Sequence, residues 1–294
     1  MAWQGIEGHD GVAARFIAAE DRGRIAGSYL FIGPAGVGKG AFARALARAF
    51  TCPEAGPGLA ACGRCGSCVQ AAAGTHPDID VVARPPDKST IPLETFIGDA
   101  AHRMREGLCW RLLLKPALGH RKVAIVLDAD HLADEAANCL LKTLEEPPAG
   151  AVIILVGTGL ERQLPTIRSR CQVIRFGPLE THVVQRLLAE ERVRAGDEIE
   201  AASIAAAAAA SGGSLDRGRL LLDPEMGVFR TRLVELLARR PLAGVDLARE
   251  TNTLVEAAGK EAPPRRARLV VVLDAASDFF RWAIRHATTG ELPA

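Results

Sequence analysis

The chain has 294 residues, 48% of them apolar and 24% charged, with a formal net charge of +1. That length carries roughly two domains, three if one is small, and the balance excludes a disordered chain. A near-neutral molecule has no overall basic field, so any contact with DNA must come from a local patch or through a partner. Met1 to Asp10 holds polar and acidic residues where a secretory leader carries basic then apolar ones, and no apolar run reaches membrane-spanning length. The expectation is a cytoplasmic protein with no membrane contact.

The first clear element is the apolar run Tyr29 to Ile32, which meets a glycine-rich turn and is followed by a helix over Ala41 to Phe50. The turn reads Gly33-Pro-Ala-Gly-Val-Gly-Lys39-Gly40. It matches the phosphate-loop pattern at Gly33, Gly38 and Lys39, and it lies between strand and helix as that chemistry requires. Glycines at Gly33, Gly36 and Gly38 let backbone N–H groups approach phosphate oxygens, and the Lys39 ammonium would reach the outer phosphates of ATP. Gly40 departs from the pattern. A Ser or Thr there supplies the hydroxyl that ligates Mg²⁺, which glycine lacks, so ATP/Mg binding stays open and catalysis is expected to be impaired. A glycine-rich turn with no ligand is the alternative.

Next come Cys52, Cys62, Cys65 and Cys68, four of seven cysteines within a short stretch, with two Cys-x-x-Cys steps. In a reducing compartment this pattern predicts a structural Zn²⁺ closed by four thiolates, at about 2.3 Å per bond, rather than disulfides. Free thiols and a redox pair are the alternatives. A DNA-reading zinc finger is a third, but only Arg64 in the cluster is basic and no recognition helix follows in register.

A second buried strand is expected over Val123 to Leu127, ending at Asp128, and a third over Val152 to Val156, ending at Gly157. Between them Ala137, Leu140, Leu141 and Leu144 share one helical face, and Pro147 and Pro148 stop that helix. Alternating strands and helices predict an α/β domain with a parallel sheet covered on both faces. In a P-loop ATPase the acidic residue at the end of the second strand orients Mg²⁺, which gives that role to Asp128. The neighbouring water-activating position is Ala129, which accepts no proton, and strand alternation would turn Asp130 elsewhere. Asp128 and Asp130 could instead cap a helix beginning near Leu132. Beyond Pro178 the expectation is all helix: Thr181 to Arg192, Ala201 to Ala210, Val228 to Ala238 and Arg265 to His286.

Three segments then carry a family resemblance over roughly Ser28 to Pro178. They are Ala136-Ala-Asn-Cys-Leu-Leu-Lys-Thr-Leu-Glu-Glu-Pro-Pro148, the triplet Ser169-Arg170-Cys171, and the four-cysteine insertion. Together they resemble the AAA+ subunits of the bacterial DNA polymerase III clamp loader. Gly74-Thr-His-Pro-Asp78 and the Asp128-Ala129 pair are similar to that family's delta-prime branch.

The resemblance implies an AAA+ module over 1–178 with a zinc module at about 52–68, a helical lid over 179–222 and an all-α collar domain over 223–294. It also implies a hetero-oligomeric ring with tau/gamma and delta subunits, acting on a sliding clamp and primed DNA. The family's SRC arginine reaches the γ-phosphate held by the adjoining subunit, a role that falls here to Arg170, with Arg168 close by. Thr158 would stand at the γ-phosphate-sensing position. Gly213-Ser214-Leu215 is similar to the start of the lid motif, but Asp216 replaces its phosphate-sensing arginine, with Arg217 one place late. The resulting expectation is a subunit with weak or no ATPase of its own that lends Arg170 to a neighbour. The alternative is an ATP-hydrolysing tau/gamma-like motor.

Overall fold

The computed structural model describes residues 3–290 apart from 104, 120, 198 and 261; for 224, 225, 262–264 and 267 it describes the backbone alone. The chain falls into two compact units, Met1–Gly218 and Arg219–Ala294.

In the first unit α1 (Asp10–Asp21) leads into β1 (Ser28–Ile32), α2 (Lys39–Thr51), α3 (Gly66–Ala73) and β2 (Ile79–Val82). The chain continues through α4 (Glu94–Ile97), α5 (Gly107–Leu113), β3 (Lys122–Val126), α6 (Asp134–Glu145) and β4 (Ala151–Gly157). After α7 (Pro165–Arg168) and β5 (Gln172–Arg175) come α8 (Thr181–Ala195), α9 (Ala201–Ala210) and α10 (Leu215–Leu221), the last of which runs across the boundary. The five strands pair in parallel in the order β2-β3-β4-β1-β5. This is the P-loop AAA+ arrangement, with the phosphate loop leaving the C-terminal end of β1.

Alternation along the strands divides the core. Leu30, Ala124, Val126, Ile153 and Leu155 face one way and pack with Phe96, Leu108, Leu112, Leu140 and Leu144 from α4, α5 and α6. Tyr29, Phe31, Val123, Ile125, Val152 and Ile154 face the other and pack with Phe16 of α1 and Phe42, Leu46 and Phe50 of α2. All residues of β1, β3 and β4 are buried. Each large side chain sequestered this way contributes about 1.5–3 kcal/mol relative to exposure, which fixes where the strand ends lie.

The second unit contains α11 (Pro224–Ala238), α12 (Gly244–Glu256) and α13 (Ala262–Thr289). Met226, Phe229, Leu233 and Leu237 recur at helical spacing on α11 and meet Leu254 of α12 and Val272 and Phe279 of α13. The break between units falls at 218/219, and α8 and α9 belong to the same unit as the sheet. Among the described residues, no helix is long and apolar enough to cross a membrane.

Candidate phosphate-loop site and cysteine cluster

The loop between β1 and α2 is closed around its glycines. A Cβ on Gly33 would lie 2.3 Å from the Phe176 carbonyl oxygen, and one on Gly36 would lie 2.3 Å from Ser214 Oγ. Gly36 and Gly38 have φ of 72° and 92°, the left-handed region that glycine enters at no steric cost. Lys39 opens α2 and is only 6% exposed. Its Nζ donates to the carbonyls of Gly33 at 2.7 Å and Pro34 at 2.5 Å. Burial lowers its pKa, opposed by the fields of Asp130 and Asp216. A Cβ on Gly40 would lie 3.3 Å from Leu127 Cδ2, a tight contact that a shift of a few tenths of an ångström in the leucine relieves.

His9, which the sequence does not single out, supports the loop from below. Its Nε2 lies 2.6 Å from the Val37 carbonyl, and its buried ring stands edge-on to Phe176 at 4.8 Å. A carbonyl only accepts, so Nε2 carries the proton.

The ends of β3 and β4 correct one expectation. Asp128 has φ 54° and ψ 38° and is exposed, accepting a bond from the Arg84 N–H at 3.4 Å. The left-handed residue and the 3-10 turn over Ala129–His131 end the strand alternation, so Asp130 does not turn away. It accepts from the Thr158 N–H at 2.8 Å, from Thr158 Oγ1 at 2.6 Å and from Gln163 Nε2 at 2.5 Å. Gly157 is required beside it, since a Cβ there would lie 2.6 Å from Asp130 Oδ1 and 2.7 Å from Gln163 Nε2. Ala129 is buried. Of the two strand-end acids, the one in the field of Lys39 is therefore Asp130, while Ala129 between them presents only a methyl group.

The start of α10 reaches the same loop. The Leu215 N–H donates to the Gly36 carbonyl at 2.9 Å, and the Asp216 Cβ would lie 2.9 Å from a Cβ on Gly36. Gly213, at φ 82°, passes so close to Leu179 that a Cβ would meet its carbonyl oxygen at 2.5 Å.

Arg170 follows α7 and is held on a short turn. Its Nε donates to Glu145 Oε2 at 2.9 Å, and one terminal nitrogen donates to the Thr166 carbonyl at 3.1 Å and to Ser169 Oγ at 3.4 Å. The side chain is 30% exposed and Glu145 is 60% exposed. Arg168 is exposed.

The four cysteine sulfurs lie within 4.8 Å of one another. Cys52 and Cys65 are 3.9 Å apart, and Cys62 and Cys68 4.0 Å, close to the roughly 3.8 Å edge of a tetrahedron with 2.3 Å metal–sulfur bonds. Backbone N–H groups of Cys62, Cys65 and Cys68 point at Cys52, Cys62 and Cys65 sulfurs at 3.3–3.4 Å, an arrangement that suits thiolates. N–H groups of Arg64 and Cys65 pull Cys62 down to about 7, whereas burial pushes Cys68 up to about 12. All four sulfurs become thiolates together only around a cation that offsets the burial of Cys68, and the donor set fits Zn²⁺. His76 ties the cluster to the sheet: its Nε2 lies 2.9 Å from Ser67 Oγ, which donates to the Thr51 carbonyl, and its Nδ1 accepts from the Asp78 N–H at 3.0 Å.

The family model for DNA polymerase III, delta subunit, matches residues 8–180, a span that includes the phosphate loop, the cysteines and Arg170. The chain belongs to that family. A DNA polymerase III subunit delta' from Pseudomonas aeruginosa is 39% identical over 151 residues, covering 51% of this chain and 43% of its own. The Escherichia coli subunit delta' is 35% identical over 188 residues, 64% of this chain and 53% of that protein. A subunit gamma/tau from Mycobacterium tuberculosis is 33% identical over 259 residues, 86% of this chain and 43% of its own. The chain thus matches about half the length of these relatives.

Proposed function

We propose that this chain is a delta-prime-like, non-motor subunit of the DNA polymerase III clamp loader, which supports ATP-driven loading of a sliding clamp on primed DNA. The observation that carries the reading is the end of β3. Ala129 has no group to polarise a water, and Asp130 already accepts from Thr158 and Gln163. With Gly40 unable to ligate Mg²⁺, the chain lacks both the metal hydroxyl and the base of a phosphoryl-transfer site.

Its contribution to catalysis is Arg170, lent in trans to the site of an adjoining tau/gamma subunit. A planar guanidinium there stabilises charge developing on the transferred phosphoryl group. In this reading residues 1–178 form the AAA+ module, 179–222 the lid and 223–294 a collar domain that joins the ring with tau/gamma and delta. Zn²⁺ on Cys52, Cys62, Cys65 and Cys68 supplies a structural crosslink.

The test is reconstitution with tau/gamma and delta subunits. Arg170→Ala is expected to lower the complex's DNA-stimulated ATPase by roughly 10³-fold at the affected site while the ring still forms. Unaltered turnover in an assembled ring refutes the trans role.

The 33% identity to a gamma/tau subunit over 86% of the chain favours a second reading, a motor of the same complex that hydrolyses ATP itself. Steady-state hydrolysis by the isolated chain with Mg²⁺ and primed DNA separates the two. Turnover abolished by Lys39→Ala selects the motor.

A further inference from the structure

Along α1, Arg15, Ala18, Ala19 and Arg22 recur at the spacing of one helical face, so two guanidiniums bracket two side chains too short to fill the space between them. A cleft of about 260 Å³ results, lined also by β5, with the buried side chains of Phe16, Tyr29 and Ile174 as its apolar part. A third arginine, Arg24, joins the lining. Gly23, at φ 62°, turns the chain back at the end of α1, and the Arg24 N–H donates to the Ala19 carbonyl at 2.8 Å. Among the described residues no carboxylate pairs with Arg15, Arg22 or Arg24: Glu20 is turned to Arg121 at 2.9 Å, and Asp21 is not part of the lining.

The strand beside this cleft ends the sheet, since β5 pairs with β1 alone. The Phe176 N–H donates to the Ile32 carbonyl at 2.7 Å, so by alternation the backbone groups of Ile174 face β1 and those of Val173 and Arg175 face outward. We propose that β5 accepts an acidic, extended segment of a partner protein as an added edge strand, whose alternate carboxylates enter the cleft beside Arg15, Arg22 and Arg24. Side chains on one face of a strand stand about 6.6 Å apart, so carboxylates two residues apart reach neighbouring guanidiniums while the segment's backbone takes up the outward groups of Val173 and Arg175. Charge decides the class of occupant. Three cations without internal partners call for anions, and a guanidinium holds a carboxylate through two parallel hydrogen bonds. A phosphodiester strand would satisfy the arginines but leave the donors and acceptors of the sheet edge unmatched. Neither the phosphate loop nor the Arg170 side chain takes part.

Fluorescence anisotropy of the full-length chain with a labelled peptide of about ten residues, alternating glutamate and threonine, tests this. Saturable binding with a Kd of roughly 10–100 μM at low salt is expected. A peptide of the same composition with its glutamates in one block should bind at least about tenfold more weakly. So should one with its two central amides N-methylated, because one of any two neighbouring amides faces β5. Arg22 and Arg24 are exposed, so Arg22→Glu with Arg24→Glu leaves the core and the thermal midpoint intact. That pair should weaken binding at least about tenfold, whereas Arg194→Glu, a charge reversal on α8, should not. Absence of saturable binding by the wild type overturns the proposal, as does equal binding of the blocked or N-methylated peptide or an equal loss in Arg194→Glu. Tighter binding by an oligothymidylate of the same charge also overturns it and assigns the cleft to nucleic acid.

Discussion

His76 and Ser67 are joined by a 2.9 Å hydrogen bond that fixes which nitrogen of the imidazole carries its proton. Nδ1 accepts from the Asp78 N–H, so Nε2 is the donor, and the Ser67 hydroxyl donates its own hydrogen bond to the Thr51 carbonyl at the end of α2. A second proton on this ring would set N–H against N–H. Burial depresses the His76 pKa below its ordinary 6.5, partly opposed by Asp78 and reinforced by Lys122.

The sign of the pH effect follows. Above pH 6.5 the ring is neutral in both folded and unfolded chains; as pH falls below it the unfolded chain takes the proton first and stability declines. Urea unfolding at pH 7.5 and 5.5 should show a loss that is smaller in His76→Gln, with thiol protonation common to both. Replacing the ring should itself cost about 1–3 kcal/mol at pH 7.5, from the buried partners it leaves unsatisfied.

Metal analysis of the purified chain should give about one zinc per molecule, the ratio expected of a closed four-thiolate site. Cys65→Ser should release it and lower the unfolding midpoint by about 5–10 °C, the shift that about 2–3 kcal/mol produces in a domain of this size. A stable wild-type protein without zinc would remove the site.

Gly157→Ala should destabilise the first unit by about 1–3 kcal/mol, because the added methyl would stand 2.6 Å from Asp130 Oδ1 and 2.7 Å from Gln163 Nε2. Chemical denaturation reads this directly. Paired with Asp130→Ala, which empties part of that space, the penalty should shrink, and a double-mutant cycle measures the difference.

Arg170→Ala should change stability by less than about 1 kcal/mol, since a pair as open as Arg170 and Glu145 is screened by water and salt. An unchanged thermal midpoint beside a large loss in ring ATPase would separate function from folding at this residue.

The central strands were legible because β1, β3 and β4 are continuous apolar runs that can only be buried on both faces. Ala201–Ala210 was legible as a helix through its propensity. β2 and β5 were not. Each has four residues at a sheet edge and is only partly buried, so too little periodicity accumulates to separate strand from loop. At the site, the loop glycines and Lys39 could be read from spacing, but the orientation of Asp130 depended on a left-handed Asp128 that no pattern announces. Gln163 and His9 carried no local signal; their roles come from contacts across 33 and 28 residues of chain.

The thirteen residues of α2 begin at Lys39 and stop one short of Cys52. A single rod about 20 Å long is therefore shared by two pieces of chemistry that look unrelated in the sequence. Phe42, Leu46 and Phe50 bury that rod along its length, so its Lys39 end and its Cys52 end are held by one and the same piece of the core.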